Sequence, residues 1–339
     1  MISCTQQKDV QEFVRTFALA EDLANSSFLI TGATGLIGSS LIRCLLALDK
    51  DVRVLAPVRN KEKAKSMFDD LFNQVEWMEC DLKSCDYNQI GRVDYVIHCA
   101  APTSSMFFVD SPVETIRVIY EATASLLEYS RCKNIKGFVY LSSLEVYGSG
   151  LPDTIITEDM QGYWDAMSVR SSYPVAKRAV ENLCCAYASE YGVPVKVARL
   201  TQTTGAGIAR DDNRVIAQFA RLAAKGEDIV LHTTGESARP YCYITDCVSA
   251  LLYIMLKGKN GEAYNVANES TYISARGMAA YLRDNFNPSI NVRVVLNDNM
   301  GYAPVSKLRL STEKLCALGW QPRVDLKQMF ERLIEYLSE

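Results

Sequence analysis

The sequence has little histidine, no paired-cysteine motif and no long run of one charge sign. His98 and His232 are its only histidines in 339 residues, and its eleven cysteines are scattered without a Cys-x-x-Cys pair. Because such residues supply most protein zinc sites, we expect no metal site. The net charge is −4. Without a basic patch to neutralise phosphates, binding to nucleic acid is disfavoured.

Long apolar runs are also missing. No stretch of 18 apolar residues is present, so we expect no membrane span. The first 27 residues carry scattered charges and lack the apolar segment of a signal peptide. Scattered thiols are typical of a reducing compartment, which predicts a cytoplasmic protein. The composition that remains, 48% apolar and 22% charged, is that of an ordinary globular chain.

Apolar β-rich segments alternate with helical patterns through the first 200 residues. The predicted strands are 28–31, 52–58, 75–82, 93–101, 137–143 and 193–200, and the predicted helices are 36–48, 61–72, 113–131 and 174–191. Continuous apolar strands that alternate with helices indicate an α/β fold, a parallel sheet covered on both faces and doubly wound for nucleotide binding.

Three regions are predicted along the chain. Residues 1–25 form an N-terminal helical extension, residues 26–200 an NAD(P)-binding Rossmann domain, and residues 201–339 a smaller substrate-binding region. Some elements of the last region are expected to return to the first domain. Helical spacing in the extension predicts one packed helix from the apolar residues Val10, Phe13, Val14, Phe17 and Leu23.

A glycine-rich loop joins the first predicted strand to the first long helix. Gly32, Gly35 and Gly38 follow one another in Gly-x-x-Gly-x-x-Gly spacing. Glycine permits the tight turn and lets backbone N–H groups approach a pyrophosphate at the helix N-terminus. The loop therefore predicts a dinucleotide site. The other predicted cofactor contacts are Thr34, Leu36, Ile37, Arg59, Asn60, Asp81, Leu82, Ala100 and Ala101.

The end of the second strand bears on the choice between NAD and NADP. An NAD site usually carries an acid about 20 residues beyond the glycines, for the ribose 2′-hydroxyl. Arg59 and Asn60 stand there instead, and a guanidinium suits a 2′-phosphate. NADP is thus slightly favoured, and NAD stays open. Asp81 either accepts a hydrogen bond from the adenine amino group or caps a helix.

Three Tyr-x-x-x-Lys pairs occur, and only one is placed for chemistry. They are Tyr129–Lys133, Tyr173–Lys177 and Tyr253–Lys257. In parallel α/β sheets, ligands bind at the carboxyl ends of the strands, where the helices begin. The first and third pairs close their helices, whereas the second opens one. A Lys177 ammonium beside Tyr173 favours the phenolate and so lowers the pKa of the tyrosine.

Two serines and a glutamate lie at the carboxyl end of the fifth strand. Ser142 and Ser143 close that strand 30 residues before Tyr173, and Glu145 follows at the same rim. A serine hydroxyl there can hold a substrate hydroxyl against Tyr173. Glu145 is predicted to be catalytic.

Several motifs resemble one known family. "TGATGLIG", "HCAAP", "SSLEVYG", "YPVAKR" and "ALGWQP" appear in the order found in extended short-chain dehydrogenase/reductases, which include nucleotide-sugar epimerases, dehydratases and decarboxylases. The resemblance covers about residues 26–337. Within the family, "PVETIR", "DDNRVIAQF" and "GESARPYCYITD" look most like the corresponding segments of UDP-glucuronate decarboxylases.

The resemblance implies a set of functional residues. It makes Ser143, Glu145, Tyr173 and Lys177 the catalytic group. The substrate-binding residues that it implies are Thr103, Ser104, Gln202, Arg214, Arg239 and Arg309.

Three positions depart from the family pattern. Leu144 stands where dehydratases have an acid and decarboxylases have serine. Gln202 replaces an asparagine that binds phosphate, and Lys307 or Arg309 takes the place of a substrate-binding arginine near the C-terminus. We therefore expect an unusual substrate.

The resemblance implies an enzyme that modifies a nucleotide-diphosphate sugar through a 4-keto intermediate, of the dehydratase or decarboxylase type. It also implies a homodimer joined by a four-helix bundle, because helices 113–131 and 174–191 carry apolar residues on more than one face, among them Ile119, Leu126, Leu127, Leu183 and Tyr187. Three alternatives stay open: a nucleotide-sugar 4-epimerase, an NADP-dependent carbonyl reductase, and a non-catalytic regulator that senses the cofactor. The intact Ser, Tyr and Lys set argues against the regulator.

Overall fold

The computed structural model describes residues 2–103, 105–297 and 305–339. In these ranges the strands are β1 (Ser27–Thr31), β2 (Arg53–Val58), β3 (Val75–Glu79), β4 (Tyr95–His98), β5 (Gly137–Ser143), β6 (Ile155–Ile156), β7 (Val195–Leu200), β8 (Gln202–Thr204), β9 (Ile229–Leu231), β10 (Ala238–Tyr243), β11 (Ala263–Val266), β12 (Asn268–Ser274), β13 (Val292–Val294) and β14 (Arg309–Leu310). The helices are α1 (Cys4–Thr16), α2 (Leu36–Ala47), α3 (Lys61–Phe68), α4 (Ser105–Asp110), α5 (Pro112–Lys133), α6 (Ser172–Tyr191), α7 (Val215–Lys225), α8 (Ile244–Lys257), α9 (Ala275–Asn285), α10 (Glu313–Cys316) and α11 (Leu326–Ser338).

Seven strands form one parallel sheet in the order β11-β7-β5-β4-β1-β2-β3. The chain builds outward from β1 in one direction through β2 and β3, and then in the other direction through β4, β5 and β7. The predicted doubly wound α/β fold is confirmed. In such a sheet the ligand crevice opens at the carboxyl ends of the strands, where the order reverses. Here that point lies between β1 and β4.

Most predicted elements are present, with bounds that differ by a few residues. The segment 137–143 forms β5 as predicted, whereas the segment 93–101 gives only the four residues of β4. The predicted helix 61–72 ends at Phe68. The next residue, Asp69, has φ 40°, in the left-handed region that an α-helix does not use. A 3₁₀ turn over Asp69–Gln74 follows.

The chain beyond residue 200 contributes to four sheets. β11 pairs with β7 at the edge of the main sheet, with Tyr264 opposite Ala198. β12, β10 and β8 form a three-stranded sheet, while β13 pairs with β9 and β14 with β6. The division of the chain at residue 200 stays a prediction.

The N-terminal helix packs on the body of the protein. Phe13, Phe17 and Leu23 are buried in the main core, and Val10 packs against it. The predicted packed helix is present, and Val14, which is 37% exposed, lies on its outer face. The helix contacts α2, α8 and α11.

Helices α5 and α6 pack on each other and on the sheet. Ile119, Leu126 and Leu127 are buried in this chain's own core, with Leu183 and Tyr187 packed against them. These residues therefore do not form the outer face of the helix pair. That face instead carries exposed Val113, Ile116, Tyr120 and Val175. Among the described helices, none is long and apolar enough to cross a bilayer.

Candidate active site

The glycine loop packs tightly between β1, β4 and α2. Gly32 has φ +67°, and a Cβ placed on it would lie 2.8 Å from the backbone nitrogen of Ala100. A Cβ on Gly38 would lie 2.3 Å from the carbonyl oxygen of Gly32. Only glycine fits at either position, and Gly35 is the N-cap of α2. The loop thus brings the N-terminus of a 12-residue helix to the crevice, which fits a bound pyrophosphate.

The adenosine side of the crevice differs in part from expectation. Arg59 is exposed just after β2, while Asn60 caps α3 by accepting a hydrogen bond from the Lys63 nitrogen at 2.8 Å. Asp81 accepts from the Lys83 nitrogen at 3.0 Å; it caps a turn, and no helix begins there. Glu79, at the end of β3, accepts from the Lys61 nitrogen at 3.3 Å. An acid therefore lies at this rim, supplied by β3.

Ser143, Tyr173 and Lys177 meet where β5 ends and α6 begins. The Ser143 hydroxyl accepts from the Glu145 nitrogen at 3.2 Å, and its interaction with Tyr173 lowers the pKa of that tyrosine. The Lys177 ammonium donates to the Leu141 carbonyl at 2.7 Å. It stands 5.7 Å from the centroid of the Tyr173 ring. The sequence-based grouping of these three side chains matches their positions.

Burial is the main influence on the electrostatics of Tyr173. Burial raises the pKa of Tyr173 and the Glu145 charge raises it further, while the Ser143 hydrogen bond opposes them. Burial also lowers the pKa of Lys177 to about 7. Burial, Glu145 and Ser143 are the causes of the Tyr173 shift, and the lowering of its pKa by Lys177 stays a prediction. A fully buried ammonium loses hydration and favours its neutral form.

Glu145 lies in a short 3₁₀ helix, Leu144–Tyr147, directly after β5. The Trp164 indole nitrogen donates to its backbone carbonyl at 2.8 Å. Burial raises the pKa of Glu145, and the charges of Arg170 and Arg239 lower it. Leu144 is buried in a small apolar cluster. Its side chain has no acidic proton, so this position supplies no general acid.

Arg170 is a site residue that the sequence analysis missed. Its Nη1 atom lies 3.6 Å from Glu145 Oε2. Both atoms are buried and have no hydrogen-bond partner among the described residues. The only signal in the sequence is that Arg170 stands three residues before Tyr173.

The other two Tyr-x-x-x-Lys pairs have structural partners. Tyr129 donates to the Gly91 carbonyl at 2.8 Å. Tyr253 packs edge-on against Phe17, with ring centroids 6.0 Å apart. The prediction that both pairs close their helices is confirmed, because α5 ends at Lys133 and α8 at Lys257.

The predicted phosphate-binding arginines fall into two groups. The side chain of Arg239, in β10, has no ion pair or hydrogen bond within the part of the chain that the structure describes, and its charge lowers the pKa of Glu145. Arg214 is held by both oxygens of Asp212, at 3.1 and 2.7 Å, and by the Thr203 carbonyl. Arg239 is therefore the freer ligand for a diphosphate.

The remaining predicted substrate contacts lie in several different elements of the chain. Arg309 lies over the Tyr272 ring at 4.4 Å and faces Asp153 at 3.4 Å, and Lys307 faces the same aspartate at 3.9 Å. Gln202 lies in β8, and Thr103 is exposed in the loop after β4. Ser104 lies outside the described residues.

This geometry is that of a nucleotide-binding oxidoreductase fold with a Ser–Tyr–Lys site beside its dinucleotide loop. The sequence signature described as the NAD dependent epimerase/dehydratase family matches residues 28–267. The chain belongs to this family.

Relatives of known activity are similar over most of the chain. UDP-glucuronic acid decarboxylase 5 of Arabidopsis thaliana is 28% identical over 90% of this chain and 87% of its own length. UDP-N-acetyl-alpha-D-glucosaminuronate decarboxylase of Bacillus cytotoxicus is 30% identical over 71% of this chain and 74% of its own. Among solved structures, UDP-glucose 4-epimerase of Thermotoga maritima shares the fold, with a TM-score of 0.78, 24% identity, and coverage of 91% of this chain and 98% of that one.

Proposed function

We propose that this enzyme modifies a nucleotide-diphosphate sugar through a 4-keto intermediate and belongs to the decarboxylase type. The observation that carries the proposal is the meeting of Ser143, Glu145, Tyr173 and Lys177 beside the glycine loop. The curated relatives, which act on UDP-sugars with a carboxyl group, support the choice of substrate. Leu144 supports decarboxylation over an elimination that needs a general acid.

Each residue has a defined task in this reaction. Tyr173 takes the proton of the C4 hydroxyl, Ser143 orients that hydroxyl, and Lys177 binds the nicotinamide ribose and adjusts the charge at Tyr173. When bound, the nicotinamide ring supplies a reversible acceptor for the C4 hydride. The resulting C4 ketone acidifies the C5 hydrogen and stabilises the electron pair left when a C6 carboxylate departs as carbon dioxide. Glu145 positions that carboxylate or removes the C5 proton.

Glu145→Gln tests the proposal. With UDP-glucuronic acid, the wild type should release carbon dioxide and form a UDP-pentose, once C5 takes up a proton and the hydride returns to C4. The variant should still oxidise C4, because the other three residues remain, and should then stall with reduced nicotinamide visible in the absorbance spectrum. Mass spectrometry would identify the 4-keto sugar.

Other outcomes point to other reactions. A 4-epimerase needs no base at C5, so its Glu145→Gln variant would keep most of its activity and place no solvent deuterium at C5. A carbonyl reductase would consume NADPH with each turnover. Wild-type turnover in Glu145→Gln would refute the role of Glu145.

For the cofactor we propose NADP over NAD, because Arg59 stands exposed at the end of β2. The Glu79 carboxylate opposes this choice, since it would repel a 2′-phosphate. Arg59→Ala should weaken NADP binding by about tenfold or more and NAD binding little, since a charge-assisted hydrogen bond contributes roughly 1.5–3 kcal/mol. Calorimetric titration with both cofactors measures this, and equal losses would make Arg59 a bystander.

We also propose a cytoplasmic homodimer. The exposed apolar face of α5 and α6, with Val113, Ile116, Tyr120 and Val175, supports the assembly, and eleven free thiols support the reducing compartment. Ile116→Asp should dissociate the dimer in light scattering. A wild-type monomer at micromolar concentration would contradict the assembly.

A further inference from the structure

Glu145 and Arg170 form an open ion pair, in which the nearest nitrogen and oxygen atoms lie farther apart than in a hydrogen bond. The two nearest atoms are 3.6 Å apart, and each lacks a hydrogen-bond partner among the described residues. By contrast, the more deeply buried pair of Glu181 and Arg199 closes to 2.7 Å. A buried polar atom without a partner costs about 1–3 kcal/mol. The open pair therefore keeps a carboxylate oxygen available for a ligand at the expense of stability.

Besides its ion pair with Glu145, the Arg170 guanidinium contacts an aromatic ring. Its guanidinium lies 5.7 Å from the centroid of Phe108. The Phe108 ring in turn stacks on the Tyr173 ring, with centroids 4.2 Å apart and planes 10° from parallel. Phe108 is buried. This stack fixes the guanidinium beside Glu145 and leaves its Nη1 donor unused.

The charged and titratable groups that face Glu145 come from three elements. Arg170 lies in the 3₁₀ turn before α6, Arg239 lies in β10, and Tyr173 lies in α6. Burial favours the neutral acid, whereas the two guanidinium groups favour the carboxylate. Arg239 is the proposed diphosphate ligand, so its guanidinium would interact with the substrate phosphates as well as with Glu145. Among the described residues, the Arg170 guanidinium has an ion pair with Glu145 alone.

We propose that Arg170 is a positioning residue that keeps the Glu145 carboxylate ionised and directed at the sugar, with Phe108 fixing Arg170 in place. The inference rests on the proposed function, in which Glu145 acts at C5 or C6. The pair is built open so that the substrate, and not Arg170, completes the hydrogen bonds of the carboxylate.

The decisive experiment follows the titration of Glu145 directly. Protein labelled with carbon-13 at the glutamate side-chain carboxyl is titrated by NMR, and the Glu145 resonance is assigned by its absence in Glu145→Gln. In Arg170→Gln this resonance should titrate at higher pH than in the wild type. Arg170→Lys, which keeps the charge, should restore much of the difference, and Phe108→Leu should give a smaller shift in the same direction.

The pH profile of turnover supplies the second measurement. In Arg170→Gln, kcat should fall on the order of tenfold or more at the acid end, within the range that a general acid–base group contributes, and should recover at alkaline pH. Arg283→Gln removes an exposed guanidinium paired with Asp284 and should match the wild type throughout. An unchanged Glu145 titration in Arg170→Gln, or an equal loss of kcat at every pH, would overturn the inference.

The two failures are distinguishable. Wild-type turnover in Glu145→Gln sinks the proposed function, whereas the NMR titration tests Arg170 with no reaction at all. Should Arg170→Gln not fold, Arg170→Lys and Phe108→Leu decide the matter: a wild-type titration in Phe108→Leu together with a shifted one in Arg170→Lys would contradict the proposed arrangement.

Discussion

A buried carboxylate, Asp9, and a half-buried one, Glu145, each lie beside an arginine and a tyrosine, but only Asp9 has both oxygens hydrogen-bonded to these neighbours. Asp9, on α1, accepts a hydrogen bond from the Tyr243 hydroxyl at 2.6 Å and one from Arg332 at 3.0 Å. Glu145 faces Arg170 at 3.6 Å and leaves Oε2 without a partner among the described residues.

We infer that the Asp9 carboxylate stabilises the fold, whereas the Glu145 carboxylate serves the active site. Burial raises the pKa of Asp9 to about 6, while Tyr243 and Arg332 oppose that effect; this cluster fastens the N-terminal helix to the body. Completed hydrogen bonds are what a structural cluster requires. Polar groups without hydrogen-bond partners lower stability, and proteins keep them mainly at functional sites, where a ligand supplies the missing partner.

The largest expected difference concerns the tyrosines. Tyr173→Phe should lower C4 oxidation by roughly 10²–10⁴-fold, because it removes the acid–base group. Tyr129→Phe and Tyr253→Phe should stay within a few-fold of the wild type, since both lie away from the crevice. The reduced-nicotinamide band in a single turnover measures this step, and an active Tyr173→Phe enzyme would end the assignment.

The next largest difference is expected between Arg239 and Arg214 in their contribution to UDP affinity, because Arg214 is already paired with Asp212. Arg239→Gln should weaken binding of UDP by about 10–100-fold, because a charged hydrogen bond contributes roughly 1.5–3 kcal/mol. Arg214→Gln, which mainly breaks the pair with Asp212, should change UDP affinity much less. Isothermal titration compares the two variants, and a reversed order would exchange their roles.

Substitutions in the cluster of Asp9, Tyr243 and Arg332 should lower the stability of the protein and leave kcat unchanged. Tyr243→Phe leaves a carboxylate oxygen unpaired, which should lower the free energy of unfolding by about 1–3 kcal/mol. Tyr336→Phe, which loses a bond to the neutral Ile208 carbonyl at 3.0 Å, should cost less. Denaturant unfolding and kcat are measured together. A catalytic loss at unchanged stability would place Asp9 with the functional cluster.

The smallest expected effect is a rise in the free energy of unfolding when Lys177, in the active site, is replaced. The pKa of Lys177 is lowered to about 7 in the folded protein, so between that pH and its ordinary value the unfolded chain binds a proton that the folded chain does not. The unfolding free energy contributed by Lys177 therefore rises with pH across this window.

Lys177→Met should remove that pH dependence. Near pH 7 it should raise the free energy of unfolding, an effect partly offset by the lost bond to the Leu141 carbonyl, and it should abolish activity. Thermal unfolding at pH 7 and pH 10 makes the comparison. A variant less stable than the wild type at both pH values would show that Lys177 is structural.

The fold was predictable where local pattern decides it. The bounds of β5 and the glycine loop follow from apolar runs and from glycine spacing, and both agree with the structure. The break of α3 at Asp69 was not predictable, because it depends on a left-handed backbone conformation that no turn signal marks.

Arg170 was not predictable for a different reason. It reaches Glu145 because the intervening chain folds back, with hydrogen bonds from the Gly162 nitrogen to the Tyr147 carbonyl at 2.7 Å and from the Tyr163 nitrogen to the Ser149 carbonyl at 2.8 Å. Such long-range pairing has no period in the sequence. The engagement of Arg214 by Asp212 likewise became visible only in side-chain geometry.

The hydrogen bond from the Trp164 indole to the Glu145 carbonyl provides the site with an intrinsic fluorescent probe. The chain has three tryptophans; the indole of Trp77 donates to the Phe72 carbonyl and that of Trp320 to Ser249, in parts of the core remote from the 3₁₀ helix of Glu145. Trp164 alone among them is attached to that helix. Its emission therefore reports on the backbone of the catalytic loop, and replacing Trp77 and Trp320 with phenylalanine isolates that signal without a foreign dye.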